Sequence, residues 1–215
     1  MARTDIVVVI VVLAVLAIVF LLPRLTRNPP PRHQPRSTQI SCVNDLKQVG
    51  LAFRIWAGDN NDKYPMSVAV TNGGAMELIA DGNVAGCFQV MSNELSTPKI
   101  LICPADKGRA SAASFQTDFN NSHISYFIST DASESYPRQI MSGDDNLAVD
   151  DTPVTSGSVM IPYKEVSWTA GRHSPSGNIL FADGSVSEVS SAGLKEAAKL
   201  SVQGTPNTID HFVIP

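Results

Sequence analysis

The sequence predicts an α+β protein in which a long N-terminal membrane helix and an amphipathic helix precede a small antiparallel sheet. Three observations support this fold class: an apolar run at residues 6–22, a helical spacing of apolar residues after residue 37, and short strand patterns towards the C-terminus. Helices first and antiparallel strands afterwards are typical of α+β folds rather than doubly wound ones. The 215 residues suffice for one globular domain with an appendage.

The N-terminal segment predicts a membrane anchor. Residues 6–22 are an unbroken run of seventeen apolar side chains, at the short end of the roughly 17 to 25 that span a bilayer. The run lacks a small-residue cleavage site, which favours an uncleaved anchor over a signal peptide. We therefore expect residues 1–27 to hold a single-pass protein in the lipid bilayer. Residues 28–36 contain four prolines and predict a stiff, extended spacer.

Charge divides the chain at this spacer. Residues 1–36 carry five arginines against one aspartate, a formal charge of +4, and the remainder carries eleven basic against nineteen acidic residues, or −8. Such an acidic domain disfavours phosphate backbones, so we expect no nucleic-acid partner. The flanking arginines suit anionic lipid headgroups. By the positive-inside rule alone they place the large domain in the cytoplasm.

The exposed domain, residues 37–215, begins with a predicted amphipathic helix. Its apolar residues recur every three or four positions, which is the period of a helix with one buried face. Ser37 or Ser41 is placed to cap the start, and Gly58 with Asn60 is placed to end it. The predicted buried stripe consists of Ile40, Val43, Leu46, Val49, Phe53 and Trp56.

The rest of the domain predicts shorter elements. The clearest is a hairpin of residues 178–182 and 185–189 around Asp183-Gly184, a pair that is typical of a type I′ turn. The remaining predictions are helices at 84–91 and 192–200 and strands at 99–103, 124–129, 139–141, 159–162, 166–169 and 212–214.

Three segments carry a resemblance. Residues 41–52 (SCVNDLKQVGLA) fit a C-x-N-x-L-K-Q-x-G-L-A pattern, residues 101–106 fit L-x-C-P-x-D, and a His-x9-Asp-Gly step runs from His173 to Asp183 and Gly184. Together they resemble bacterial pseudopilin-like proteins with a prepilin-type N-terminus, a family of unknown function. The resemblance implies a type IV pilin-like fold and a non-enzymatic structural subunit of a type II secretion or type IV pilus-like system. Its partners would be other pseudopilin subunits and secretion machinery.

The resemblance also implies a location. It places the protein in the bacterial inner membrane with a cytoplasmic N-terminus and a periplasmic main domain, and large domains translocate largely regardless of charge. Asp5 precedes the apolar run where prepilins carry a glutamate, which implies pairing with the terminal amine of a neighbouring subunit. Residues 1–5 contain no Gly-Phe cleavage site. The alternative is therefore a membrane-tethered extracytoplasmic binding module that does not assemble.

Three cysteines allow at most one intramolecular disulfide. Cys42 and Cys103 lie in the family-like segments, and the resemblance implies that they join the helix to the sheet. The alternative is that these two and Cys87 are buried thiols packed as small apolar groups. No C-x-x-C or Cys/His spacing indicates a zinc site.

Two further patterns carry candidate chemistry. Asp59 and Asp62 offer oxygen ligands for calcium, but their segment lacks the EF-hand glycine, so we expect solvated turns and no cofactor. His173 and Asp183 offer half of a hydrolytic triad. No G-x-S-x-G nucleophile context accompanies them. We expect Asp183-Gly184 to form the turn itself and His173 to hydrogen bond at the start of the strand.

Overall fold

The computed structural model describes residues 34–161, 165–173 and 176–215, together with Leu13, Leu16 and Ile18, whose backbone is helical. Contacts divide the chain into two compact units, 1–34 and 35–215, and the second contains the fold. The rest of the predicted anchor, including Asp5, lies outside the described residues. No helix within the described part of the chain is long and apolar enough to cross a membrane.

Helix α1, Gln34–Asp59, is the first element of the second unit. It begins inside the predicted spacer because proline at position 35 is tolerated in the first helical turn. Neither predicted serine caps it, and Ser41 instead donates its hydroxyl hydrogen to the Ser37 carbonyl within the helix. The predicted stripe is confirmed for Leu46, Val49, Phe53 and Trp56, which are buried. Its first residue is not: Ile40 is 56% exposed, whereas Cys42, outside the predicted stripe, is fully buried.

The segment that follows α1 is helical and short. It contains α2, Met76–Ala80, α3, Val84–Val90, and α4, Ser92–Leu95, with 3-10 turns at Pro65–Ser67, Val70–Asn72, Pro98–Leu101 and Asn121–His123. The predicted strand at 99–103 is wrong. Thr97 accepts a hydrogen bond from the amide of Lys99, and Pro98 occupies the first helical position, so the chain turns instead of extending.

Nine strands form two antiparallel sheets in the described part of the chain. A six-stranded sheet has the order β5-β9-β1-β2-β7-β8, and a three-stranded sheet has the order β4-β3-β6. A fifth helix, α5, spans Ser191–Val202 between β8 and β9. The strands are β1, Tyr126–Ser129; β2, Ile140–Asp144; β3, Leu147–Val149; β4, Thr152–Pro153; β5, Gly157–Ile161; β6, Val166–Trp168; β7, Ser176–Phe181; β8, Val186–Ser190; and β9, Asp210–Ile214. The predicted α+β class is confirmed.

The central strands of the six-stranded sheet, β9, β1, β2 and β7, are buried on both faces. Along β1, Tyr126 and Ile128 point into the core that α1 and the short helices cover, while Phe127 points into a second core. That second core contains Leu194 of α5 and Trp168 of the small sheet. Because successive side chains of a strand face opposite sides, burial of both faces produces continuous apolar runs in the sequence.

The tight turns differ from the prediction. In the β7–β8 hairpin the Gly184 amide bonds to the Phe181 carbonyl, and Gly184 alone of the Asp183-Gly184 pair has positive φ, at +84°. The result is a three-residue connection in which a turn is followed by a left-handed glycine. The β3–β4 hairpin instead places both Asp150 and Asp151 at positive φ, which is the type I′ geometry.

Gly143 should be intolerant of a side chain. A Cβ at this position of β2 would lie 2.7 Å from the Asn178 carbonyl oxygen and 2.9 Å from the Phe127 ring. We expect Gly143→Ala to lower the free energy of unfolding by about 1–3 kcal/mol, measured by urea denaturation. Gly58→Ala is the matched control, because a Cβ there meets nothing within 4 Å and alanine favours helix by up to about 1 kcal/mol. Equal stabilities of the two variants would contradict this packing.

Asp210 should make stability depend on pH. Burial raises the pKa of this carboxyl to about 7, opposed by the Ser201 hydroxyl, which donates to it; Asp131 raises that pKa further and His211 lowers it. The folded protein therefore holds a proton that the unfolded chain has lost, and the free energy of unfolding falls as pH rises from about 4 to about 7. Relative to the Asp210→Asn variant, the free energy of unfolding of the wild type should fall by up to about 1.4 kcal/mol for each pH unit in that window. Parallel denaturation profiles would refute the assignment.

Candidate functional site

A disulfide joins α1 to the segment that precedes β1. Cys42 and Cys103, the two cysteines that the resemblance singles out, are bonded with their Cα atoms 5.1 Å apart, and both are fully buried. They are separated by 61 residues in the sequence. Cys87 is the remaining thiol; it is buried in α3, and burial raises its pKa. The disulfide is thus a covalent cross-link between α1 and the segment before β1, in addition to the polypeptide chain itself.

His173 lies against this disulfide. Its Nε2 atom is 3.1 Å from the Cys103 sulfur and 3.8 Å from Oδ2 of Asp144. A disulfide sulfur carries no hydrogen, so Nε2 is the donor in the closer contact. The ring is almost completely buried, and burial, with the Arg172 guanidinium acting in the same direction, lowers the pKa of His173. The imidazole is therefore neutral at pH 7.

Asp144 is a fully buried carboxylate at the end of β2. Its Oδ2 atom accepts two hydrogen bonds from Asn178, one from the backbone amide at 2.7 Å and one from the side-chain amide at 3.0 Å. Its Oδ1 atom is buried and accepts no hydrogen bond from the described residues. Burial raises the pKa of Asp144 to about 7, against the effect of the Asn178 bonds and of Arg172. One oxygen of a buried acid is thus left without a partner.

Arg172, the neighbour of His173, ties three segments together. Its guanidinium lies 2.6 Å from Asp106 and 2.5 Å from Asp145, and it donates a 2.8 Å hydrogen bond to the Ser125 carbonyl. Arg109 makes a second ion pair with Asp145. Burial raises the pKa of Asp145 and both arginines lower it. The last residue of the L-x-C-P-x-D step therefore positions the residue next to His173.

The other end of β7 also contacts α1. The Asp183 carbonyl accepts a 2.8 Å hydrogen bond from Arg54 of α1, and the neighbouring Ala182 carbonyl accepts one from the Tyr64 hydroxyl. A Cβ on Gly50 of α1 would lie 3.4 Å from the Cα of Gly184, so the helix and the turn approach closely. The hairpin turn thus rests on the middle of α1.

The structure therefore does not bring His173 and Asp183 together as a catalytic pair would require. The two residues flank opposite ends of the six-residue strand β7, about 20 Å apart at the usual rise per residue. The Asp183 carboxylate instead accepts the amide hydrogen of Ser185 in its own turn. At the start of β7, the His173 carbonyl accepts hydrogen bonds from the amide and the hydroxyl of Ser176. The His173 ring lies against the disulfide. No described hydroxyl occupies a nucleophile position beside the ring.

The candidate calcium ligands, Asp59 and Asp62, lie outside this site. Asp59 and Asp62 are exposed and belong to the turn that ends α1, where the Asp62 amide bonds to the Ala57 carbonyl. Among the residues that the structure describes, the group with the spacing of metal ligands is Cys42, Cys103 and His173, whose ligand atoms all lie within 4.8 Å of one another. No local spacing in the sequence indicates this group, because its members come from three distant segments.

Reduction should show how much the disulfide stabilises the fold. Closing a loop over this separation is worth about 4 kcal/mol by the chain-entropy relation. We expect a phosphine reductant to lower the free energy of unfolding of the wild type by roughly that amount, measured by urea denaturation. Cys87→Ala is the matched control and should respond to the reductant equally. A Cys42→Ala, Cys103→Ala double variant should not respond at all, and a response there would place the stabilising bond elsewhere.

Comparison with known proteins leaves these residues as the basis for interpretation. No family model, no curated protein and no solved structure matches the chain. The likeness to pseudopilin-like proteins therefore rests on the three sequence segments, and these converge in space: Cys42 and Gly50 on α1, Cys103 at the disulfide, and His173 and Gly184 at the two ends of β7.

Proposed function

We propose that this protein is a non-enzymatic, pseudopilin-like structural subunit, anchored by residues 1–27 in the bacterial inner membrane with its main domain in the periplasm. The observation that carries this proposal is an exposed apolar stripe on α1. Ile40, Leu51 and Ile55 are 56%, 59% and 47% exposed. At 100° per residue they fall within about 60° of one another, so they share one face of the helix.

This stripe is suited to contact a second copy of the chain. The opposite face of α1 is fixed to the sheet through Leu46, Val49 and Phe53, so the exposed apolar groups cannot turn inwards. Exposed apolar clusters on a folded domain mark interaction sites. Anchored copies share one membrane plane, which raises their local concentration and aligns equivalent faces. Packing between α1 helices would bury the stripe.

The fold supports a pilin-like interpretation. A 26-residue helix covers one face of a six-stranded antiparallel sheet, and the helix precedes every strand in the sequence. The disulfide supports an oxidising location such as the periplasm, because disulfides persist there and are rare in the cytosol.

A tethered binding module is the second candidate, and one surface feature favours it. A pocket of about 400 Å³ lies beside the β7–β8 turn. Its walls include the apolar side chains of Phe181, Ala197 and Leu200, with Arg138 and Glu196 among its polar groups. A concave apolar site with a few charged groups is typical of ligand binding. A protein that works through this pocket would not need the α1 stripe.

A charged side chain introduced into the stripe should distinguish an assembling subunit from a tethered binding module. We expect Leu51→Asp, in the full-length membrane protein, to reduce homomeric cross-linking at least about tenfold, because burying an unpaired carboxylate costs more than the 1.4 kcal/mol that a factor of ten represents. Met160→Asp is the matched control, since Met160 is 61% exposed on β5 and lies outside the stripe. Asp5→Ala should reduce cross-linking while leaving the protein in the membrane.

Two outcomes would count against assembly. One is a wild-type protein that shows no homomeric cross-links in its native membrane. The other is a Leu51→Asp variant that cross-links as well as Met160→Asp does, with both variants unfolding at the wild-type temperature. In either case the tethered binding module becomes the better interpretation.

A further inference from the structure

The group around the disulfide contains the donor atoms of a metal site. Two sulfurs and an imidazole nitrogen, from Cys42, Cys103 and His173, lie within 4.8 Å of one another. A carboxylate oxygen of Asp144 lies 3.8 Å from the imidazole nitrogen. Thiolate, imidazole and carboxylate are the ligands that zinc takes in proteins, usually four at a time in a tetrahedron. Calcium and magnesium prefer oxygen-only sets, so this combination selects a softer metal.

The separations between the donors match this geometry. Zinc distances of about 2.0 to 2.3 Å place the ligands of a tetrahedron roughly 3.3 to 3.8 Å apart. Nε2 of His173 lies 3.8 Å from Asp144 Oδ2 and 3.1 Å from the Cys103 sulfur. The two bonded sulfurs are closer together than two ligands of one ion, and cleavage of their bond lets them separate. Asp144 lies outside the group of ligand atoms within 4.8 Å of one another, so its carboxylate must move towards the sulfurs for all four residues to bind one ion.

A second, independent observation points to a missing partner. The Oδ1 atom of Asp144 is buried and has no hydrogen-bond donor among the described residues, although buried polar atoms are normally paired. Asp144 is fully buried, and Tyr126, paired with it across β1 and β2, also leaves its hydroxyl without a partner. A cation beside this carboxylate would supply the missing interaction.

We propose that Cys42, Cys103, His173 and Asp144 bind a divalent zinc-like metal ion when the Cys42–Cys103 disulfide is reduced. Two thiolates and a carboxylate carry three negative charges, which a divalent ion reduces to one. All four ligands come from the protein and are buried, which is typical of a structural rather than a catalytic zinc site.

The exchange is balanced in electrons and protons. A dithiol reductant gives two electrons and two protons to the Cys42–Cys103 bond, which yields two cysteine thiols and the disulfide of the reductant. The metal ion then replaces the two thiol protons, and the proton of Asp144 where this carboxyl carries one, and these protons leave to solvent. The imidazole keeps a single proton and moves it from Nε2 to Nδ1, so that Nε2 is free to ligate. Oxidation of the two thiolates reverses the process and releases the metal.

Titration with Co²⁺ tests the site, because thiolate-bound cobalt in a tetrahedral site has a distinctive absorption spectrum. The sample is the full-length protein in detergent carrying Cys87→Ala, so that only the two site cysteines remain. After treatment with a phosphine reductant, we expect one Co²⁺ per chain with a thiolate charge-transfer band that Zn²⁺ abolishes. The oxidised protein should bind none. Absence of binding by the reduced protein, whether folded or unfolded, would overturn the proposal.

Variants then test the individual ligands. Asp144→Asn keeps the size of the side chain, and we expect it and His173→Ala to weaken Co²⁺ binding more than the roughly 10- to 100-fold that loss of an outer partner causes. Asp210→Asn is the matched control, a buried aspartate outside the site, and it should bind as the parent does. Undiminished binding by Asp144→Asn would overturn the four-ligand assignment.

Thiol protection gives a readout that does not depend on any variant folding. The reduced wild type has three thiols, and bound Zn²⁺ should protect two of them from alkylation, with Cys42 and Cys103 identified by peptide mapping. Zinc should also raise the unfolding temperature of the reduced protein, because it binds only the folded state. Equal alkylation of all three cysteines with and without Zn²⁺ would refute the site. None of these outcomes depends on whether the chain assembles.

Discussion

The fold depends on the attachment of α1 to strand β7. At one end the Cys42–Cys103 disulfide lies against His173, which precedes β7, and at the other end Arg54 of α1 holds the carbonyl of Asp183. Between these two points the side chains of α1 cover the sheet face that carries Leu180. A helix fixed at two points about one strand length apart can neither rotate nor slide. Its exposed apolar face therefore has a defined direction, which a subunit that packs through α1 requires.

Largely buried ion pairs stabilise the segments next to this attachment. Arg172 and Arg109 neutralise Asp106 and Asp145, so that the segment carrying Cys103 and the segment carrying His173 are held to one another without the disulfide. Removing one partner of a buried ion pair leaves an uncompensated charge and is strongly destabilising. The loop around Cys103 is thus held in place independently of the bond it makes. For this reason the Cys103 sulfur and the imidazole should remain neighbours after reduction, while the packing of α1 against the sheet keeps Cys42 nearby.

Local patterns predicted the elements better than the site. The α1 helix, the β7–β8 hairpin and α5 each have a periodic or turn signal within a few residues, and the structure contains all three. The prediction of a strand at 99–103 is wrong because apolar residues there indicate burial but not backbone conformation. Thr97 and Pro98 start a 3-10 turn instead. The prediction for Ile40 is wrong because Cys42 and the alanines on the buried side of α1 are small and weakly hydrophobic, so the apolar pattern alone places the buried face too close to Ile40. No local sequence signal distinguishes Asp144 from the other acidic residues, and its proximity to His173 depends on strand order, which no local pattern encodes.

The same two sulfurs cannot form a disulfide and ligate a metal at once, so the redox state selects between two ways of fastening the helix. In the oxidised protein the link is covalent, and one oxygen of Asp144 has no partner among the residues that the structure describes. In the reduced, metal-bound protein the link would pass through the ion, and that carboxylate would be paired. Both states hold Cys42 of α1 close to His173 and therefore preserve the direction of the exposed stripe.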